Sequence, residues 1–429
     1  MTRRHAVAVA AIVFAISRLY LLFALHPRES DIYIYEQYAL ESAQSRARGV
    51  GVYTFHAEAM GGVIEYPPLA LQWIALPSRI AGPEAYARTY RALTATVDVV
   101  GFALLLALVP RHFPREAPHR HLERWLLYVA AGHGLGHLLY DRLDLVVGVL
   151  VLGALALLTR PRVPAAAGLA VLVLAVHYKL APLFLAPVFL LASRSAEELR
   201  GGALAVARSL SGPCLLFVVL LVAVFPPLAG PDGRASLEFL RYHGARGLHV
   251  ESVAASLVLA LSPFGHRATL WDEFGAWSVR SSLTPTLVAL SPALVAGLAL
   301  GVAALLLAAL RRSGAEGKAP WASTNPAAAG GFVLAALATT LVGSKVFSPQ
   351  YLLWLLPVAP LMPTARRPLL WLFAAIALVT TAMFPYGYDQ IAHGPTLLGA
   401  GLLVARNTAV VALAAGALAA AWHSALAAS

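Results

Sequence analysis

Cysteine is all but absent: Cys214 is the only one in 429 residues, and it sits inside an apolar run. That excludes an intramolecular disulfide and a cysteine-based metal cluster. Charge is scarce as well, at 12% of residues against 59% hydrophobic, and acids are outnumbered by bases, 21 to 32. With a mean hydropathy of +0.72, the chain reads as an all-α, polytopic membrane helical bundle. Also missing are a GxxxxGK loop, a GxSxG elbow and a dinucleotide fingerprint, so nothing supports nucleotide-driven chemistry. The formal charge of +11 is spread over short loops between apolar runs, which marks topology rather than a nucleic-acid face.

The apolar runs give twelve spans: 6–25, 86–109, 125–140, 143–159, 164–178, 181–193, 209–229, 284–310, 327–343, 351–363, 368–384 and 396–422. The first follows a basic start, but its length and the lack of a small-residue cleavage site favour a retained helix over a signal peptide. Residues 67–81 are apolar but short and hold Pro67, Pro68 and Pro77, which predicts a re-entrant or interfacial segment. The chain is then one integral membrane domain, 1–429. Residues 28–85 form its first extracytoplasmic loop and 230–283 a second large one.

With the N-terminus inside, Arg111–Arg124, Arg160 and Arg162, Arg311–Lys318 and Arg366–Arg367 fall in cytoplasmic loops. Five of the 21 acids (Glu116, Glu123, Glu197, Glu198 and Glu316) fall there too. The remaining polar clusters share the other side, which makes the extracytoplasmic face of a plasma (inner) membrane the working face.

Several clusters on that face can carry chemistry. Asp31 follows the first span in the order DIYIY; a carboxylate at a water–lipid boundary can act as general base or simply be a solvated helix-end acid. His177-Tyr178-Lys179 interrupts an apolar stretch, and its cation and imidazole can hold a lipid phosphate, although a lysine there also snorkels. Lys345 stands alone between Lys318 and Arg366, which favours anion binding. In YDRLD, Asp141, Arg142 and Asp144 either orient a substrate or neutralise one another at a tight turn. His133, His137 and Asp141 have a spacing compatible with metal, yet Gly132, Gly134 and Gly136 point to close helix packing, and no metal or other cofactor is expected. The stretch FLRYHGARGLHVESV packs Arg241, His243, Arg246, His249 and Glu251 into eleven residues, suited to phosphate or sugar hydroxyls or to an amphipathic headgroup-facing segment.

Taken in order, SDIYIY, EYPPLA, YDRLD, HYKLAPLFLAP, YHGARGLHVES and KVFSPQYLLWLLP resemble the polyprenyl-phosphate-sugar-dependent glycosyltransferases of the GT-C superfamily. The nearest branch is the bacterial mannosyltransferases that extend phosphatidylinositol mannosides, and the similarity runs over roughly residues 15 to 360. The resemblance implies a GT-C-type bundle of about twelve helices whose first outer loop holds the catalytic acid. Asp31 matches the acid of the family's D-x-x-x-Y pattern and Tyr35 its tyrosine. Glu29, two residues before, has the spacing of the acid pair seen in many members, while the closer branch uses a single aspartate.

The implied reaction is inverting transfer of a sugar, mannose in that branch, from a polyprenyl-phosphate donor to a lipid or glycan acceptor. The lipid phosphate leaves without protonation, so a single base suffices, and Asp31 takes that role. Lys345 and Lys179 are the first candidates for the donor phosphate, followed by His177, Arg142 and Arg246. Tyr35, Glu65, Tyr66, Asp141, His243, Glu251, Gln350 and Tyr351 are expected to position substrate. Asp98 and Arg406, intramembrane charges, would suit a secondary transporter instead, and a non-catalytic lipid-binding subunit of the same fold is a third reading.

Overall fold

The computed structural model describes residues 1–25, 30–223, 230–264, 267–312, 318–392 and 396–427; Glu29 and Glu316 lie outside them. The first half contains α1 (Arg3–Phe23), α2 (Ile32–Ala47), α3 (Val52–Met60), α4 (Pro68–Ala81), α5 (Tyr86–His112), α6 (Pro118–Gly134), α7 (Leu138–Asp141), α8 (Asp144–Leu158) and α9 (Ala165–Tyr178). Next come α10 (Ala186–Ala192), α11 (Ala196–Leu199), α12 (Ala203–Ala223), α13 (Glu238–Ala245) and α14 (Val253–Leu261). After the strands β1 (Thr269–Glu273) and β2 (Ala276–Arg280) follow α15 (Thr284–Arg312), α16 (Trp321–Thr324), α17 (Pro326–Gly343), α18 (Leu352–Leu355), α19 (Arg367–Thr381), α20 (Asp389–Ala392) and α21 (Leu397–Ala427).

Among the described residues, seven helices are long and apolar enough to cross a membrane: α1, α5, α12, α15, α17, α19 and α21. Three apolar helical stretches are shorter: α8, α9 and the run Ala181–Ala192 that ends in α10. The protein is thus a helical membrane protein, but the expected twelve spans are not twelve helices of full length. The expected span 125–140 stops early, because α6 ends at Gly134 and the chain turns at Gly136, where φ is +58°. The expected span 351–363 dissolves into short turns around Pro349, Pro357 and Pro360, as proline interrupts helical hydrogen bonding.

Burial sorts the helices into centre and rim. In α17, 83% of the most apolar window is buried, against 6% in α12, so α17 is a core element and α12 a peripheral one. The core helix α17 packs along α21 and α15, while α8 lies against α9 and α5. A helix apolar on every face belongs inside other protein, and α8 is buried almost throughout. Its Gly148 lets α18 come close, for a Cβ there would run into the Leu353 carbonyl oxygen.

Two further expectations change. Within the expected first extracytoplasmic loop, residues 30–66 are largely two helices, α2 and α3. Buried Ile32, Tyr35, Ala39 and Ser42 recur on one helical face of α2. The all-α expectation fails once, in the second large segment. There β1 and β2 form an antiparallel hairpin, with Thr269 opposite Arg280 and Glu273 opposite Ala276. Its tight turn holds Phe274 and Gly275, both at positive φ.

The basic loops gather at one end of the bundle. Arg124 donates to the Pro360 and Met362 carbonyls at 2.9 and 2.8 Å. Arg311 donates to the Leu199 and Gly201 carbonyls, each at 3.1 Å. The start of α17 lies there too, with Gly330 facing Leu361 and His112. Its 18 residues rise about 27 Å to the opposite end, where Ser291 accepts a hydrogen bond from the Lys345 amide at 2.8 Å. That second end carries the acids and histidines singled out above.

Candidate functional site

The turn 140–144 is the hub of that end. Its three charges do not neutralise one another; each engages a different element. Asp141 accepts two hydrogen bonds from Arg91 of α5, at 2.7 and 3.1 Å. Arg142 forms an ion pair with Asp31, which opens α2. Asp144 accepts from Lys179, just past α9, and from the Trp354 indole of α18, both at 2.7 Å. Buried charges hold only when paired and hydrogen-bonded, so this turn ties four elements together.

Lys179 stands at the junction of two cavities. One is a polar cleft of about 50 Å³ whose walls include Glu65, Tyr66, His243, Arg246, Gln350 and Tyr351. The other, about 200 Å³, is an apolar slot between Phe184, Val295, Leu341 and Trp354, with Lys345 at its edge. Lys179, Leu180, His243 and Tyr351 line both. The Lys179 ammonium lies 4.8 Å from the centre of the Tyr351 ring, and that ring stacks on Trp354 at 4.2 Å. A lysine has three donors, and Asp144 takes one. Arg246 lies 5.9 Å from the Tyr242 ring centre and pairs with no carboxylate among the described residues.

The electrostatics follow from burial and these cations. Burial, and after it the nearby Lys179, push His243 down to about 4. It is therefore neutral at pH 7, and its Nε2–H donates to the Glu65 carbonyl at 3.1 Å. Burial also lifts the Tyr66 and Tyr242 hydroxyls well above their ordinary range, with the Glu65 carboxylate adding to both. Lys345 is pulled below its usual value by burial and by Arg246, and its Nζ donates to the Gly244 carbonyl at 2.7 Å.

Seven expected residues therefore line one cleft: Lys179, Arg246, Glu65, Tyr66, His243, Gln350 and Tyr351. Lys345 stands at the adjoining slot. Six others are placed elsewhere. His177 bonds through Nε2 to the Leu221 carbonyl at 2.8 Å and borders different cavities. Arg142 and Asp141 are taken by Asp31 and Arg91. Glu251 is buried against Arg406, 3.5 Å away, and Asn407 donates to its carbonyl at 3.1 Å. Tyr35 is buried in the wall behind the cleft, edge-on to Tyr66 at 5.8 Å and beside Tyr90 at 5.3 Å. Asp31 lies outside the cleft and keeps 22% side-chain exposure.

The alternatives read from intramembrane charges and histidines are placed as well. His133 bonds Ser17 at 3.1 Å while Asp141 faces Arg91, so that set does not converge on a metal. No group of three metal-ligating side chains occurs among the described residues. Asp98 is enclosed by Arg18, Tyr128 and Tyr140. Sequence reasoning missed the partners Arg91 and Trp354 and the role of Asp144. An acid at the first position of an otherwise apolar helix was the available signal for the last. Comparison of the chain with protein-family models, with curated proteins and with solved structures gives no match in any of the three.

Proposed function

We propose that the protein is an inverting glycosyltransferase that uses a lipid-phosphate sugar donor, as a polyprenyl-phosphate mannose would be, and a hydroxyl acceptor on a lipid or glycan. One observation carries the reading: a cationic polar cleft and an apolar slot meet at a single lysine, Lys179. An amphipathic anion needs that pairing, a charged pocket for its phosphate beside a greasy channel for its chain. Lys179 and Arg246 bind the phosphate, with Lys345 at the slot.

The chemistry is a single displacement at the anomeric carbon. The acceptor oxygen bonds to that carbon, the bond to the phosphate oxygen breaks, and the lipid phosphate leaves with the electron pair. The acceptor proton passes to a carboxylate. Cations already fixed at the leaving group lower the barrier, by roughly 2.7–4 kcal/mol for one well-placed donor. In-line attack places the base on the face of the sugar opposite the phosphate. Glu65 lines the cleft beside the phosphate-binding cations and so belongs to the leaving-group side. Asp31, beyond the Tyr35–Tyr66 wall and oriented by Arg142, is the base, and a β-linked donor gives an α-glycoside. A cleft of about 50 Å³ is far below the roughly 300 Å³ and upward of a small-molecule site, so donor binding moves at least one of its walls.

The test is to incubate purified protein with a panel of polyprenyl-phosphate sugars and an acceptor extract. Release of polyprenyl phosphate coupled to glycosylation of the acceptor is expected for at least one sugar. Lipid binding without release across the panel would leave the non-catalytic reading.

A further inference from the structure

The largest of the cavities described here is not the cleft. It measures about 510 Å³ and lies between α2, α3 and α4. Two arginines border it, Arg46 in the last turn of α2 and Arg79 in the last turn of α4. Arg46 donates through Nε to the Ser42 carbonyl at 3.0 Å, and neither arginine pairs with a carboxylate among the described residues. Asp232, which also borders the cavity, is committed elsewhere: its Oδ1 accepts the Tyr53 and Thr54 amides at 2.9 and 3.1 Å, capping α3. Partial desolvation and then the neighbouring Arg46 pull the exposed Arg79 below its ordinary value, which places the two cations within each other's field. Guanidinium forks converging on a concave surface suit an anion with several oxygens.

At His177 the cavity continues into a second, apolar slot of about 220 Å³, bordered by Leu183, Leu221, Val222 and Leu237. Val222 belongs to α12, the helix with the least burial in the bundle, so the slot opens toward the lipid-facing rim. This gives His177, unused in the cleft, a place at the neck between a cationic chamber and a greasy one.

We propose that this pair of cavities is a binding site for an anionic phospholipid, with its phosphate between Arg46 and Arg79 and an acyl chain in the slot. The arginine chamber shares no lining residue with the Lys179 cleft, and the slot touches that cleft only at Pro67 and Leu180. The segment 65–68 runs between chamber and cleft, with Glu65 and Tyr66 on the cleft side and Pro68 on this one. Tyr53, which borders the large cavity, donates its hydroxyl to the Tyr66 carbonyl at 2.6 Å, so a lipid seated here rests against the cleft's own wall. Binding does not depend on the transferase reading, since it requires only the arginines and the slot.

Native mass spectrometry of the full chain, delipidated and titrated with phosphatidylglycerol, diacylglycerol or inorganic phosphate, tests the site. Phosphatidylglycerol should bind the wild type, and Arg46→Gln/Arg79→Gln should weaken it about tenfold or more. Leu183→Trp, which fills the slot, should weaken phosphatidylglycerol but not inorganic phosphate. Lys179→Gln should leave phosphatidylglycerol binding unchanged. Both arginines are exposed, so the double variant should keep the wild-type melting temperature. Wild-type affinity in a folded double variant would overturn the proposal. So would diacylglycerol binding as tightly as phosphatidylglycerol, or inorganic phosphate displacing the lipid at equal concentration.

Discussion

Two buried cation–carboxylate pairs in this bundle use nearly the same parts and end differently. Around Asp98, Arg18 donates at 2.8 Å and the hydroxyls of Tyr128 and Tyr140 fill the remaining acceptor sites, while Phe14 and Phe102 stack at 4.3 Å beside them. None of the cavities described above reaches that group. Around Asp144, Lys179 and Trp354 also donate to a buried carboxylate with stacked aromatics beside it. There, however, the lysine borders two cavities and Arg246 stands nearby without an acid partner among the described residues. Charge inside a membrane bundle is thus not by itself a sign of transport or catalysis. What marks a site is charge left over after the local pairs are complete, beside space for a ligand.

The largest effect expected on this contrast is at Asp31. Asp31→Asn keeps the shape and cannot take a proton, so turnover should fall by up to about 10⁴ with donor binding intact. Glu65→Gln should cost far less, because Glu65 lies on the leaving-group side. Rates of polyprenyl phosphate release in the two purified variants decide between them. The reverse order would move the base to Glu65 and remove Asp31 from the chemistry.

Asp98→Asn probes the closed pair. Leaving Arg18 buried without its counter-charge should cost about 3–5 kcal/mol of stability. Thermal unfolding of the solubilised protein should show that loss, while turnover per folded molecule stays near wild type. Normal stability with lost turnover would mean that the closed pair belongs to the mechanism.

Lys179→Ala is next, because it removes one phosphate donor. The donor's kcat/KM should fall about 100- to 1000-fold, with acceptor KM little changed. Since the substitution also strips Asp144 of its cation, Lys179→Ala/Asp144→Asn should regain stability without regaining activity. Recovery of activity in the double variant would show that Lys179 serves only to neutralise Asp144.

Much of the frame was legible and most of the pairing was not. The long apolar helices stand out because each carries its own signal in a contiguous window, as α15 and α21 do. The hairpin was missed, although Trp271 and Trp277 flank a Phe-Gly turn between short runs rich in residues that favour strands. The helix α2 escaped because, past Ile32, its buried face is built of Tyr, Ala, Ser and Glu rather than of large aliphatics. The ion pairs could not be read at all. Asp31 and Arg142, or Asp144 and Lys179, are distant in sequence and meet only through helix packing. One consequence is that the eight residues of 140–144 and 177–179 looked like two candidate sites, whereas the structure makes one hub and sends His177 to another cavity.

The smallest effect expected is a pH dependence at Glu251, which sharpens the contrast from the structural side. Burial pushes its carboxyl up to about 7, although Arg406 and Arg142 act in the opposite direction. In the unfolded chain the same group titrates near the ordinary carboxylate value, about 4.3. Between those two values the folded protein binds more protons than the unfolded one, so stability must fall as pH rises from about 4.5 to 7. The neutral acid is the form that the buried site favours, and ionising it near Arg406 at 3.5 Å recovers only part of the desolvation cost. Glu251→Gln mimics the protonated acid at every pH and leaves the backbone carbonyl that Arg406 and Asn407 use. Its melting temperature should therefore match wild type near pH 4 and exceed it at pH 7.5, by the equivalent of roughly 2–4 kcal/mol. A variant less stable than wild type at pH 7.5 would mean that the ionised Glu251–Arg406 pair holds 251–256 onto α21, and that this third buried pair is closed in the same sense as Asp98.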